Sequence, residues 1–203
     1  IQIRDTFGPT VGLMYPLNNS GLFHENATFQ FNVSDASNLH NCSLIINNKI
    51  NQTNSSILIK APGVTFFRME NISIGRYNWS INCTDSLGNN GTSPTRSFYV
   101  NLMKHFNQSF FNISAFDMRN VSNFVIGTGS CNKINFSTNL DMSQGFDFDR
   151  HVNVSFNRME INSSAIPTFN ISATITICGL TLSNPRMLKD GVACPDSVCK
   201  KVS

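Results

Sequence analysis

The chain has 203 residues, of which 40% are hydrophobic and 13% are charged, and its formal net charge is +3. This length fits one large β-domain or two domains of about 100 residues each. The positive charges form no basic cluster, which argues against nucleic acid or an anionic membrane surface as a partner. No run of about 18 apolar residues occurs, so we expect no membrane-spanning segment.

The sequence starts with a short strand-like arm, residues 1–7, in which Ile1, Ile3 and Phe7 are in phase. Gly8 and Pro9 end this arm. Between residues 8 and 102, alternating apolar and polar segments separated by turn residues predict seven strands: Thr10–Met14, Ala27–Val33, Cys42–Ile46, Ile57–Ala61, Val64–Met69, Tyr77–Cys83 and Phe98–Leu102. Seven short strands in about 100 residues indicate a β-sandwich.

The strand predicted at Tyr77–Cys83 has the clearest pattern. Tyr77, Trp79, Ile81 and Cys83 alternate with polar residues. Because side chains alternate between the two faces of a strand, one face is apolar and the other is polar. We therefore expect Trp79 and the phenylalanines of the neighbouring strands to lie in the core.

Acceptor triplets for N-glycosylation, Asn-x-Ser/Thr, are unusually frequent. The chain contains 17 of them, whereas its content of Asn, Ser and Thr would produce about five by chance. They start at Asn18, Asn26, Asn32, Asn41, Asn51, Asn54, Asn71, Asn78, Asn82, Asn90, Asn107, Asn112, Asn120, Asn135, Asn153, Asn162 and Asn170. Several fall on outward strand positions, so we expect sugars on the sheet faces and contacts at strand edges, chain ends and loops.

The second half of the chain, from about Lys104, is also rich in predicted strands. They are Phe111–Ile113, Asn123–Ile126, Ile134–Phe136, Val152–Phe156, Met159–Ile161 and Ser172–Leu182. The last has the strongest alternation, with Ala173, Ile175 and Ile177 on one face. We predict an all-β protein of two β-sandwich-like domains in tandem, with residues 1–7 as an arm, 8–102 as the first domain and 103–203 as the second.

Six cysteines, an even number, indicate disulfides formed in an oxidising compartment. In the second half, the local pairing joins Cys131 to Cys178 and Cys194 to Cys199. Pairing across the two halves or between chains is the alternative.

Three stretches, PTVGLMYPLNNS, NCSLIINNKINQT and YNWSINCTDSLGNNGTSPTRSFYV, resemble the Ig-like domains of archaeal secreted, N-glycosylated cell-surface proteins. The resemblance covers about residues 9–102 and implies an Ig-like sandwich with Cys42 bonded to Cys83 across the sheets. Trp79 shares the strand of Cys83, unlike in antibody domains, so antibody-like recognition loops are not expected. The segment from NVSFNRMEINSSAIP through GVACP resembles the domain that follows Ig-like modules in some of these proteins.

One acidic cluster stands out in the sequence DMSQGFDFDRH. On a strand, its residues Asp147, Asp149 and His151 would share a face, and the two carboxylates would offer the oxygen ligands that suit Ca²⁺. The spacing matches no EF-hand loop, so a solvated surface loop is the alternative. We expect no other cofactor besides covalent N-glycans.

The four histidines lie in different segments, and GxSxG, P-loop and HExxH motifs are absent from the sequence. We therefore predict a non-enzymatic, secreted structural protein, a self-assembling subunit of a surface filament or surface layer. Its partners would be copies of itself or other surface proteins, joined through strand edges or through a strand donated by the arm. For the arm, the alternative is that it packs on its own domain or frays. For the function, the alternative is a cell-surface adhesin or glycan-binding module.

Overall fold

The computed structural model describes residues 4–55, 63–106, 117–128, 131–155, 158–181 and 186–199. In the first half, nine strands follow one another: β1 Thr10–Tyr15, β2 Ser20–Leu22, β3 Ala27–Ser34, β4 Leu39–Ile46, β5 Lys49–Asn54, β6 Gly63–Met69, β7 Gly75–Asp85, β8 Asn90–Thr92 and β9 Arg96–Val100. The predicted strand Ile57–Ala61 lies outside the described residues.

The strands of the first half form two sheets. One sheet has the order β1-β3-β6 and is antiparallel throughout. The other has the order β2-β9-β7-β4-β5, with β8 paired to β7 and with β2 parallel to β9. Both sheets contribute buried side chains to one shared core, which confirms the predicted β-sandwich.

Aromatic side chains fill this first core. In β3, Phe29, Phe31 and Val33 are buried and alternate with exposed polar residues. The ring of Phe29 contacts Trp79 and Phe98 edge-on, with centroids 5.2 and 5.4 Å away. Such edge-to-face pairs add about 0.5–1.5 kcal/mol beyond the burial of apolar area.

The Cys42–Cys83 disulfide lies within one sheet. The two residues face each other on the adjacent strands β4 and β7, and their Cα atoms are 4.1 Å apart. The expectation of a bond across the two sheets is therefore wrong. Both side chains point into the core from neighbouring strands at the same register, and such directly opposed pairs are close enough to be bonded.

Three strands of the first half are absent from the sequence-based prediction, namely β2, β5 and β8. β5 is an edge strand with nearly every residue exposed, while β2 and β8 have three residues each. A strand without a buried face, or one this short, has no readable alternation.

The second half contains smaller sheets. Its elements are β10 Val125–Thr128, β11 Asn132–Phe136, the helical turn α1 Phe148–His151, β12 Val152–Ser155, β13 Arg158–Ile161, a 3₁₀ turn at Pro167–Phe169, β14 Ala173–Thr176, β15 Leu188–Lys189 and β16 Val192–Ala193. They form the sheets β10-β11-β14, β12-β13 and β15-β16. The predicted strand Phe111–Ile113 lies outside the described residues.

A cluster of phenylalanines forms the second core. Its members are buried, and their ring centroids lie 5.3 to 6.1 Å apart: Phe124, Phe136, Phe146, Phe148 and Phe169. Tyr99 of β9 also belongs to this cluster, so the last strand of the first sandwich contributes to both cores. The domain boundary at residues 102 and 103 stays a prediction.

Backbone hydrogen bonds join the two halves directly. The N–H of Leu102 donates to the carbonyl of Phe146 at 2.8 Å, and the N–H of Phe148 donates back to Leu102 at 2.9 Å. Nearby, the Asn101 side chain is fully buried and accepts from the Phe146 N–H at 2.9 Å. This junction places the loop that precedes α1 beside the end of β9.

Candidate functional site

The described part of the N-terminal arm, residues 4–7, contacts its own sandwich. The Arg4 guanidinium donates to the carbonyl of Leu87 at 3.2 Å. The Asp5 carboxylate accepts from the Ser37 hydroxyl at 2.9 Å, and the Asn89 amide donates to the Asp5 carbonyl at 3.3 Å. These contacts favour the interpretation in which the arm packs on its own domain.

Unlike Arg4 and Asp5, which contact the sandwich through hydrogen bonds, the apolar residue Phe7 of the arm is largely exposed to solvent. Phe7 is 80% exposed, while Ile1 and Ile3 lie outside the described residues. Gly8 directly follows the arm, and Gly91 lies in β8. A Cβ atom on Gly8 would collide with the backbone of Asn90, and a Cβ atom on Gly91 would collide with the backbone of Pro9. Phe7 is thus held at the surface beside a tight backbone crossing, and donation of the arm to another copy stays a prediction.

The acceptor asparagines lie at the surface. Three are half-buried, namely Asn41, Asn78 and Asn82, and the described others are exposed: Asn18, Asn26, Asn32, Asn51, Asn54, Asn71, Asn90, Asn120, Asn135, Asn153, Asn162 and Asn170. Asn107 and Asn112 lie outside the described residues. Their exposure leaves room for sugars, and glycosylation itself stays a prediction.

The outer face of β7 is less open than its polar sequence suggests. The Asn78 side chain accepts from the Ser97 hydroxyl at 2.8 Å, and the Asn82 amide nitrogen donates to the Thr92 hydroxyl at 2.7 Å. Ser80, between the two asparagines, is buried. Residues of β8 and β9 therefore cover part of the face on which two neighbouring sugars were expected.

The acidic cluster near residue 149 adopts a helical turn rather than a strand. Asp147 caps α1 by accepting from the Arg150 N–H at 3.0 Å. Asp149 accepts from the backbone N–H groups of Lys104 and His105, each at 2.9 Å. The prediction that Asp147, Asp149 and His151 share one face of a strand is therefore wrong, because the capping hydrogen bond starts a helical turn at this point.

A cleft of about 600 Å³ opens beside this turn. Its wall includes His105, Asp149, His151 and Glu160. The carboxylate of Asp149 lies 3.0 Å from the His105 imidazole. The cleft is polar and could hold a small hydrophilic ligand.

Another acidic group, formed by Asp5, Asp35 and Asp85, escaped the sequence analysis. Within the described part of the chain, these three carboxylates come together at one end of the first sandwich. Asp35 directly follows β3, and Asp85 is the last residue of β7. Their separation in sequence hides the group, although the two strand ends were predicted close to these positions.

Apolar side chains are exposed along the end of the described chain, and we name this region the C-terminal apolar surface. Its residues are Ile171, Ile175, Leu180, Met187, Leu188, Val192 and Val198. The exposed fraction is 53% for Ile175, 65% for Leu188 and 69% for Val192. In β14, which is shorter than the predicted strand Ser172–Leu182, both faces are largely exposed.

Two disulfides involve cysteines in the part of the chain that carries the C-terminal apolar surface. Cys131–Cys178 joins the chain before β11 to the chain after β14, and Cys194–Cys199 closes a loop after β16. These are the local pairs predicted from the sequence. β14 is an edge strand of its sheet, and β15 and β16 pair only with each other among the described residues.

A second exposed apolar group lies on the edge strands of the first sandwich. Ile50 of β5 is 69% exposed, and Val64 and Phe66 of β6 are 63% and 49% exposed. The Arg68 guanidinium lies 4.8 Å from the centre of the Phe66 ring. The acceptors Asn51 and Asn54 lie on β5 itself, so sugars would flank this group.

No protein-family model and no curated protein matches the sequence. Similar solved structures include the fibronectin(III)-like modules of Clostridium thermocellum CbhA, with 10% identity and a TM-score of 0.38, covering 46% of this chain and 98% of that chain. The CARDB domain of a Pyrococcus furiosus protein has 16% identity and a TM-score of 0.38, over 50% and 100% of the two chains. The Streptococcus sanguinis adhesin SrpA has 18% identity and a TM-score of 0.36, over 49% and 61%.

Similarities at this level carry no functional assignment, and the β-sandwich rests on the strand order described above. In the described part of the chain, no helix is long and apolar enough to cross a bilayer.

Proposed function

We propose that this chain is a non-enzymatic, extracellular structural protein that assembles with copies of itself into a surface filament or a surface layer. The observation that carries the proposal is the C-terminal apolar surface. The three disulfides support an oxidising, extracellular location.

The C-terminal apolar surface has the properties of an unsatisfied interface. Large exposed apolar side chains recur along residues 171–198, and large exposed apolar patches are unusual on monomeric proteins and mark sites of association. The edge strand β14 also presents backbone groups that a strand from another molecule can pair with. We infer that a second copy of this chain covers β14 and the β15–β16 hairpin.

The distribution of acceptor triplets points to the same surface. After Asn170 the sequence contains no Asn-x-Ser/Thr triplet, and nowhere else does so long a stretch lack one. Sugars would keep other molecules away from most sheet faces. Beyond Ile171, which follows the acceptor Asn170, the residues of the C-terminal apolar surface lie in a stretch of sequence without acceptors. The acceptor Asn135 of β11 lies opposite Thr174 of β14, whereas the group around Ile50 has acceptors, Asn51 and Asn54, on its own strand.

Substitution with lysine tests the interface. Ile175→Lys combined with Val192→Lys should raise the concentration needed for assembly at least about tenfold, because each buried aliphatic side chain contributes about 1.5–3 kcal/mol. Ile50→Lys, on the glycan-flanked edge, is the matched control. The measurement is electron microscopy and sedimentation of the glycosylated protein, with circular dichroism as a check on folding.

Unchanged assembly of the Ile175→Lys, Val192→Lys variant would contradict the proposed interface. Dispersed particles of the parent protein at high concentration would contradict self-assembly altogether. In that case the cleft beside α1 favours the second candidate function, an adhesin or glycan-binding module. Its polar wall with His105, His151 and Glu160 suits a sugar or another hydrophilic ligand.

A further inference from the structure

Three carboxylates converge at one end of the first sandwich. Asp5 belongs to the arm, Asp35 follows β3, and Asp85 ends β7. One oxygen atom from each of them lies within 4.8 Å of the other two. Three negative groups this close repel one another unless a cation or protons lie between them.

One oxygen of Asp35 is buried without a partner, although the residue as a whole is only partly buried. The Oδ2 atom of Asp35 is excluded from solvent and accepts no hydrogen bond from the described residues. Asp85 is only 1% exposed. A buried carboxylate oxygen without a partner is costly, so its presence in a native structure calls for an ion or a bound water.

Hydrogen bonds hold the other oxygens in place. Asp85 accepts from the N–H groups of Leu87 and Asn89 and from the Asn89 side-chain amide, each at 2.8 Å. Asp5 accepts from the Phe7 N–H at 3.0 Å, and the Asp35 Oδ1 atom accepts from the next N–H along the chain at 2.9 Å. The three carboxylates are therefore oriented before any ligand binds.

The three carboxylates form no ion pair with any described residue. Ion pairs among the described residues lie elsewhere, at Lys104–Glu25, His105–Asp149, Arg119–Asp117 and Arg158–Glu160. The charge of the group is thus left for an external cation.

We propose that Asp5, Asp35 and Asp85 form a Ca²⁺-binding site. Ca²⁺ binds oxygen ligands at about 2.3–2.6 Å, so two ligands of one ion lie at most about 5 Å apart, and the observed spacing satisfies this limit. Ca²⁺ also tolerates irregular geometry and takes six to eight ligands. An adjoining cleft of about 340 Å³, lined in part by Thr10 and Ser34, has room for the waters that complete the shell.

The ion would fasten the arm to the sandwich, since Asp5 supplies one ligand and the ends of β3 and β7 supply the other two. This inference is independent of the proposed assembly. A protein that binds Ca²⁺ without forming polymers, or one that polymerises in a chelator, would separate the two proposals.

Thermal unfolding of the full chain in CaCl₂ and in EGTA tests the site. Extracellular Ca²⁺ sites often have dissociation constants of about 10⁻⁴–10⁻³ M, so CaCl₂ at about 10 mM should be near saturating. We expect the Tm to be about 5 °C or more higher in CaCl₂ than in EGTA. Asp35→Asn should abolish this difference, and the charge-matched control Asp141→Asn should retain it.

In EGTA, Asp35→Asn should be at least as stable as the parent, because it removes one of three repelling charges. This reversal between the two conditions distinguishes loss of a ligand from simple misfolding. Calorimetric titration of the parent with CaCl₂ decides the matter even if Asp35→Asn fails to fold. Equal Tm values in CaCl₂ and EGTA, an absence of binding heat, or an undiminished Ca²⁺ effect in Asp35→Asn would each overturn the proposal.

Discussion

At the scale of single residues, Asp85 and Asp149 both use a carboxylate to hold backbone groups. Asp149 accepts from two N–H groups in the segment after β9 and so connects α1 to that segment. Asp85 accepts from N–H groups in the turn between β7 and β8. Each removes unpaired N–H donors at a point where strand pairing ends.

Burial alone would raise the pKa of Asp85, but the hydrogen bonds from Asn89 and from the Leu87 N–H outweigh burial and lower this pKa. The lowered pKa predicts a specific pH dependence of stability. A carboxyl group whose pKa is lower in the folded state stabilises the protein above its unfolded pKa, about 3.9, and this contribution is lost as the pH falls through the folded pKa. In EGTA, the Tm should therefore fall as the pH decreases below about 4. Asp85→Asn should show a smaller fall over that range.

Asp190→Asn, in the exposed turn of the β15–β16 hairpin, is the control for this experiment and should follow the parent. Identical pH profiles for Asp85→Asn and the parent would show that Asp85 does not contribute in the expected way.

At the scale of elements, alternation located the strands that have one buried face, such as β3 and β7. It missed β2, β5 and β8, which are short or lack a buried face. It also detected β14, although the apolar side chain of Ile175 is exposed. Alternation reveals that two faces differ, but it does not reveal whether the apolar face is covered by the same chain or by another.

The candidate sites show the same limit. The cluster at Asp147, Asp149 and His151 is visible in the sequence because its members are adjacent, yet a helical cap changes its geometry. The group formed by Asp5, Asp35 and Asp85 depends on which strand ends meet in space. That placement follows from the pairing of sheets, which local periodicity does not determine.

The arm is the element with the sharpest prediction. Deleting residues 1–7 should abolish assembly if a neighbouring copy receives the arm as a strand, while the Tm in EGTA should change little. Arg4→Ala removes the contact with Leu87 but keeps the apolar residues, and it serves as the control. Electron microscopy of both variants is the measurement, and normal assembly after the deletion would refute a role of the arm.

At the scale of the whole molecule, two cores meet at β9, and each half of the chain contains a disulfide that spans a long segment. Cys42–Cys83 links positions 41 residues apart and Cys131–Cys178 links positions 47 apart, whereas Cys194–Cys199 spans only five. In the loop-entropy model, each long bond stabilises the fold by roughly 4 kcal/mol.

This difference predicts unequal effects of removing the bonds. Replacing Cys42 and Cys83 by Ser should lower the Tm by about 10 °C or more, or prevent folding. Replacing Cys194 and Cys199 by Ser, in an exposed loop, should change the Tm far less. Differential scanning calorimetry of the two double variants makes the comparison, and similar losses in both would contradict the argument.

The two long disulfides also have a mechanical consequence. A chain pulled from both ends extends only outside the segments that its disulfides close. The residues between Cys42 and Cys83 and between Cys131 and Cys178 would therefore withhold about 300 Å of contour length, at roughly 3.4 Å per residue. Under tension, an oxidised subunit would stop lengthening well before its backbone is straight.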